Sequence, residues 1–202
     1  MAFITATEVR VADAAAFADG VRTIVRPKLE ERGASLVIPQ LVIAGGTKTG
    51  VMRAISRWES LDAAGLALSE LASDSDIRAM AQSLNAEPLM RNIAHDTGHT
   101  GNPRGEYSAT VGVNFGNFDQ AKFDQAKVRN QQIAEEHGCS GVMYLRSLGI
   151  DPAEGQIAMG TFADSLDQLQ AMRDALYADD EILSLLAATE AQAVTRTIER
   201  YV

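Results

Sequence analysis

The sequence predicts an α+β protein made of two tandem βαββαβ units packed sheet to sheet. Three observations lead there. The stretch EERGAS at Glu30–Ser35 returns as EEHGCS at Glu135–Ser140. Sliding the 202-residue chain along itself at that offset pairs Glu30–Thr97 with Glu135–Val202 without a gap, and 15 of the 68 pairs are identical. The identities fall at element boundaries, as a duplicated fold requires. Gly33 and Gly138 each follow a helical stretch and precede a strand-like run, the place of a left-handed helix cap. Ser60-Leu61-Asp62 and Ser165-Leu166-Asp167 each open a helix: serine suits the N-cap and aspartate the first turn. Ser165 with Gln168 forms a capping box.

Each half then reads in order. In the first, AFITATEVRV is a strand rich in β-branched residues. Asp13 caps a helix striped by Phe17, Val21, Ile24 and Val25, which Pro27 kinks or restarts. ASLVIPQLVIA is a strand that Pro39 places at an edge or bulge. GGTKTG is a turn, VMRAISRW a strand, and SLDAAGLALSELA and SDIRAMAQSL are helices. EPLMRNIAHD closes the half. The second half repeats this with EYSATVGVNF, a long helix over 117–137, strands CSGVMYLRSLG and GQIAMGTFA around the turn IDPAE, two helices, and AQAVTRTIERYV. The expected domains are 1–97 and 105–202, with DTGHTGNPRG supplying a linker over 98–104. A βαββαβ unit is the ferredoxin-like arrangement, with helices on one sheet face only. Its other face needs cover, which a second copy supplies.

The turn glycine, the strand ending in an aromatic and the capped helix of GVMRAISRWESLDAA and GQIAMGTFADSLDQL resemble the dimeric α+β barrel superfamily, most closely its NIPSNAP-like and antibiotic-biosynthesis-monooxygenase-like families. The resemblance covers nearly the whole chain. It implies a pseudo-dimeric α+β barrel with a small apolar cavity between sheet and helices in each unit. Members include cofactor-free monooxygenases, haem-degrading enzymes, isomerases and proteins without known activity, so the fold leaves the chemistry open.

Composition narrows the classes. Net charge is −9, and no Lys/Arg cluster offers the cationic face that nucleic acid or an anionic membrane requires. No apolar run reaches membrane-helix length and no secretory leader is read at the start. Cys139 is the single cysteine, which excludes an intrachain disulfide and suits a cytoplasmic setting. The expected partner is a small apolar metabolite, with the chain a monomeric pseudo-dimer or a homodimer of it.

Several residues invite chemistry. GGTKTG has the glycine spacing of a phosphate loop, but Val51-Met52 stand where Lys-Ser/Thr would be, so it reads as a hairpin turn. His95, Asp96 and His99 are metal-ligand types on what reads as a solvated linker. Cys139, opposite Ala34 in the repeat, reads as a buried small residue. Trp58 is a cavity wall or, preferred two to one, a core aromatic. Arg91 and Arg196 are paired by the repeat and alternate with Leu89/Ile93 and Val194/Ile198. Each should lie on an apolar face with an anionic partner, a substrate or a carboxylate of the other half. Tyr144 and Arg146 share one strand face and the same two readings. In the tandem FDQAK-FDQAK, Phe118 acts as a staple before an Asp119 N-cap. Trp58, Arg91, Tyr144, Arg146 and Arg196 are thus the candidate ligand contacts. No metal site and no cofactor is expected.

Three functions fit: a cofactor-independent monooxygenase-like enzyme whose substrate supplies the electrons, a binding or carrier module, and a structural pseudo-dimer. The third strand carries Arg53, Arg57 and Trp58 in the first half against Ala158, Gly160 and Phe162 in the second. At most one half should keep a working site.

Overall fold

The computed structural model describes residues 2–149 and 155–202. The expected turn at 150–154 lies outside the described residues. The chain divides into two compact units. One ends at Asp96 and takes in Arg200–Val202; the other spans Thr97–Glu199.

The first unit runs β1 (Ala2–Arg10), α1 (Ala14–Gly20), a π-helical turn (Val21–Val25), α2 (Arg26–Glu31), β2 (Leu36–Ala44), β3 (Met52–Trp58), α3 (Leu61–Ser73), α4 (Ser75–Ser83) and β4, which begins at Glu87. Its strands lie in the order β4-β1-β3-β2. Phe3 faces Trp58 and Thr5 faces Ser56 across the β1–β3 ladder. Asp13 caps α1 by accepting from the Ala16 amide. Pro27, which has no N–H to give, sits at the start of α2, where the backbone leaves the π-turn. Pro39 lies in the β2–β3 ladder opposite Ala54, where the register runs on without the expected edge or bulge. GGTKTG closes the β2–β3 hairpin, where the Gly50 amide donates to the Val42 carbonyl.

The second unit holds β5 (Tyr107–Phe115), α5 (Gln120–Glu136), β6 (Gly141–Ser147), β7 (Ile157–Ala163), α6 (Leu166–Ala178), α7 (Asp180–Ala188) and β8 (Ala191–Tyr201), in the strand order β8-β5-β7-β6. The element order matches that of the first unit.

Equivalent residues make equivalent joints. Gly33 (φ 98°) and Gly138 (φ 70°) end their helices in left-handed conformation. After each, the next amide reaches back five residues: Ala34 to Leu29, and Cys139 to Ala134. Ser60 and Ser165 cap α3 and α6, the latter with the complete capping box. Asp74 and Asp179 cap α4 and α7, and each also receives a cation from the first helical segment of its unit. Lys28 Nζ lies 2.7 Å from Asp74, and Arg129 Nη2 lies 2.6 Å from Asp179. One carboxylate therefore orients a helix start and ties two helices together.

β4 corrects the expected linker. It continues from Glu87 to Gly101, so residues 98–101 are strand. Thr97 Oγ1 donates to the Tyr144 carbonyl at 2.9 Å, and the Asn102 amide to the Ser140 carbonyl at 2.7 Å. Gly101 (φ 64°) approaches Ser140 so closely that a Cβ would stand 2.5 Å from its carbonyl oxygen. A polar, glycine-rich segment that reads as a linker is a strand because its neighbour β6 satisfies it.

Helices cover one face of each sheet. Under α1–α3 the first unit buries Val21, Met52, Trp58 and Ala64 completely. Under α5–α7 the second buries Val142, Tyr144, Ala163 and Met172. The opposite faces carry buried carboxyl groups. Glu8, 2% exposed, receives Arg53 at 2.7 Å and Lys48 at 3.2 Å. Glu199, fully buried, accepts from the hydroxyls of Ser108, Thr110 and Thr197.

Two tests follow from these joints. Trp58→Ala should cost about 3–5 kcal/mol in urea unfolding of the full chain, as large aromatic deletions from a core do. The neighbouring ion pairs hold Asp74 and Asp179 below the usual carboxylate range, Asp74 through its hydrogen bond from Lys28 and Asp179 through that from Arg129. A depressed carboxylate stabilises the folded state above its unfolded value, roughly pH 3.9, and loses that contribution as pH falls through the lower folded value. Urea midpoints measured from pH 5 downward should therefore fall less steeply in the Asp74→Asn/Asp179→Asn double variant than in the parent.

Candidate functional site

In the second unit α5 lies across β6, and the helix start explains how. Asp119 is the N-cap, accepting from the Ala121 and Lys122 amides. Phe118 precedes it and packs on Phe123, one turn into the helix, with ring centroids 5.7 Å apart. This is the expected hydrophobic staple. Phe115 joins edge-on to both rings. Phe123 then meets the Tyr144 ring edge-on at 5.6 Å. Two cations lie against this cluster, Arg146 over Phe118 at 5.0 Å and Lys127 over Phe123 at 5.2 Å.

Tyr144 is 1% exposed, and its hydroxyl has no hydrogen-bond partner among the described residues. Asn130 stands near it, but the Asn130 amide nitrogen donates to Sδ of Met159 at 3.3 Å. Burial pushes the phenol up to about 12; the Asn130 side chain, a hydrogen-bonding neighbour outside good geometry, opposes this. The phenol therefore stays protonated at neutral pH and keeps an O–H to donate. A buried polar group without a partner carries a desolvation cost, and such groups are few in native proteins.

Beside this cluster runs a groove of about 440 Å³ between the outer flank of α5 and the end of β4. Tyr144, Gly98, His99, Thr100, Lys127 and Gln131 are among its lining residues. The size suits a small organic molecule. Asp124 and Glu135 also line it. Asp124 pairs with Lys127 at 2.5 Å, and Glu135 accepts from Gln131 at 2.6 Å.

The candidate residues scatter. Tyr144 and Arg146 come together in the aromatic cluster. Trp58 is fully buried in the first unit's core, its indole donating to Ser56 Oγ at 2.9 Å, which is the preferred core reading. Arg91 and Arg196 correct an expectation: both are exposed. Arg91 reaches the Leu68 carbonyl at 3.4 Å and Arg196 lies over the Tyr177 ring at 5.1 Å. β4 and β8 end the strand order of their units, where the helix layer gives partial cover, so Leu89 and Val194 are about two-fifths exposed as well. Cys139 is buried as expected, and burial pushes its thiol up to about 11. His95 stacks on Phe3 at 5.5 Å, and Asp96 pairs with Arg57 at 3.5 Å, on a strand in place of the expected flexible segment. Among the described residues no group of three or more His, Cys, Asp or Glu could hold a metal ion, and no helix is long and apolar enough to cross a membrane. The sequence reading missed His99 and Lys127 as groove residues. The one signal for Lys127, a polar residue at helical spacing along α5, is that of any solvated face, and His99, on β4, reads in the sequence only as a metal-ligand type.

No family model and no curated protein matches the chain. Solved structures do. Chlorite dismutase from Candidatus Nitrospira defluvii aligns with a TM-score of 0.65 at 11% identity, over 100% of this chain and 90% of that one. A putative monooxygenase from Lactobacillus acidophilus NCFM aligns at 0.54 and 12%, over 100% and 93%. An anthrone oxidase-like protein aligns at 0.53 and 12%, over 98% and 93%. The chain thus shares its α+β fold with these proteins.

The Tyr144 hydroxyl gives a test. Tyr144→Phe removes a buried group that has no partner. It should leave the urea midpoint unchanged or raise stability by up to about 1 kcal/mol. A loss of more than that would show the hydroxyl to be structural.

Proposed function

We propose that the protein binds a small planar metabolite in its second unit, in the groove between α5 and β4 that Tyr144 helps to line. The observation that carries this is a groove of suitable size that counts Tyr144 among its lining residues. The first unit lacks a counterpart: Pro39 stands opposite Tyr144 in the repeat alignment, and Trp58 fills the core. We read the two units as products of one duplication, of which the second keeps the site.

The activity supported by the fold likeness to the monooxygenase and the anthrone oxidase-like protein is a monooxygenase-like oxidation without a protein-borne redox centre. In its simplest balance an activated CH2 group gives up four electrons to dioxygen. One oxygen atom enters as a ketone and the other leaves as water. The protein's share would be to bind, orient and exclude bulk water. A carrier role is the second reading, and one observation favours it. Tyr144 and Cys139 are both pushed away from neutrality, so neither is poised as a base at pH 7.

Native mass spectrometry of the protein purified from its own organism tests the binding. One small molecule per chain is expected; two equivalent molecules per chain would contradict a single site. Oxygen uptake on adding that molecule separates the readings, since turnover supports the oxidation and tight binding without uptake supports the carrier.

A further inference from the structure

Tyr144 and Met159 stand directly opposite each other on the β6–β7 ladder, on the sheet face that packs in the second core. Asn130, buried on α5, meets both. Its amide nitrogen donates to Met159 Sδ at 3.3 Å, and its side chain neighbours the Tyr144 hydroxyl without a well-formed hydrogen bond. A carboxamide N–H and a phenol O–H thus meet donor to donor in a buried corner. The sulfur is a weak acceptor for the first, and the second has no acceptor. The same sheet positions in the first unit, Pro39 and Ala54, carry neither donor nor sulfur. Among the described residues, Met159 is the methionine whose sulfur accepts a hydrogen bond. It is also partly exposed, whereas Met52 and Met172 are 0% and 1% exposed.

We infer that Met159 is an oxidation site, taken to the sulfoxide by hydrogen peroxide or an organic hydroperoxide. A sulfur lone pair attacks one peroxide oxygen and the O–O bond breaks. The other oxygen leaves as water or an alcohol, taking the proton. The sulfur is oxidised by two electrons and the peroxide is reduced by two. The new S=O oxygen is a strong acceptor, one bond from the sulfur that Asn130 already touches. It takes the Asn130 N–H and gives the Tyr144 O–H the acceptor it lacks. A sulfoxide in a core ordinarily costs stability, because it sets a polar oxygen among apolar groups. Here the oxygen enters beside two donors. Asn130 lies on α5 and the other two residues on the sheet, so oxidation ties α5 to β6 and β7 more firmly than the thioether does.

Peroxide treatment of the folded full chain, followed by peptide mass mapping and urea unfolding, tests this. Met159 should gain one oxygen while Met52 and Met172 stay unmodified. Other partly exposed methionines also oxidise, so Met159→Leu treated in the same way is the reference: peroxide should lower its urea midpoint further than it lowers the parent's. Peroxide should also cost Tyr144→Phe and Asn130→Ala more than the parent, since each leaves the sulfoxide with one donor fewer. In the parent, the Tyr144 Cζ resonance should shift on oxidation as its hydroxyl gains an acceptor. Should Asn130→Ala fail to fold, Tyr144→Phe, which loses only the hydroxyl, carries the comparison. The inference is overturned if Met159 stays unmodified in the folded chain, if peroxide lowers the parent's midpoint as far as that of Met159→Leu or Tyr144→Phe, or if the Tyr144 resonance stays in place.

Discussion

The placement of α5 depends on one ion pair. Arg129 gives two hydrogen bonds, from Nε and Nη2, to the same oxygen of Asp179, while the other oxygen of that carboxylate caps α7. The helix cannot slide along the sheet without breaking a salt bridge and a cap together. Everything proposed about the site follows from α5 resting there. It carries Phe123 onto Tyr144, sets Lys127 and Asp124 along the groove, and brings Asn130 near a hydroxyl that it does not satisfy. The first unit uses the same device with Lys28 and Asp74. There the layer beneath is closed by Trp58, whose indole nitrogen is satisfied by Ser56, itself bonded to Thr5 at 2.6 Å. Equivalent scaffolds thus enclose a satisfied aromatic in one unit and an unsatisfied one in the other. The groove that Tyr144 helps to line is the basis for placing a ligand site in the second unit.

Much of the fold was legible because the residues concerned act through local backbone chemistry. Gly33, Gly138, Ser60, Ser165, Asp13 and Asp119 do what their types and neighbours imply, since a left-handed cap or an N-cap is decided within a turn or two of chain. The staple of Phe118 on Phe123 was legible for the same reason. What failed was decided by distant partners. The segment 98–101 looked like a linker because its two glycines have little strand preference of their own; β6 makes it a strand. Arg91 and Arg196 were placed on a buried face because they alternate with apolar residues. Alternation gives two faces but cannot say how far a helix layer covers either one. On β8 the deeply buried positions are Thr197 and Glu199, the polar alternates.

The site was half legible. An isolated tyrosine and arginine on one strand face suggested a contact, and the structure brings Tyr144 and Arg146 into one cluster. The carboxylates that give the groove its charge could not be found by sequence. Asp124 and Glu135 belong to a long polar helix, and nothing in their spacing separates the groove-lining positions from those in open solvent.

The claim that the second unit holds the site can be tested by nuclear magnetic resonance on protein labelled at the tyrosine ring carbons and the indole nitrogen. The Tyr144→Phe variant assigns the Tyr144 signal among four tyrosines, and Trp58, the single tryptophan, reports on the first unit. On titration with 1-acetonaphthone, the Tyr144 Cζ resonance should move and saturate while the Trp58 indole resonance stays in place. A moving indole signal beside an unmoved Tyr144 would put the ligand in the first unit and contradict the account.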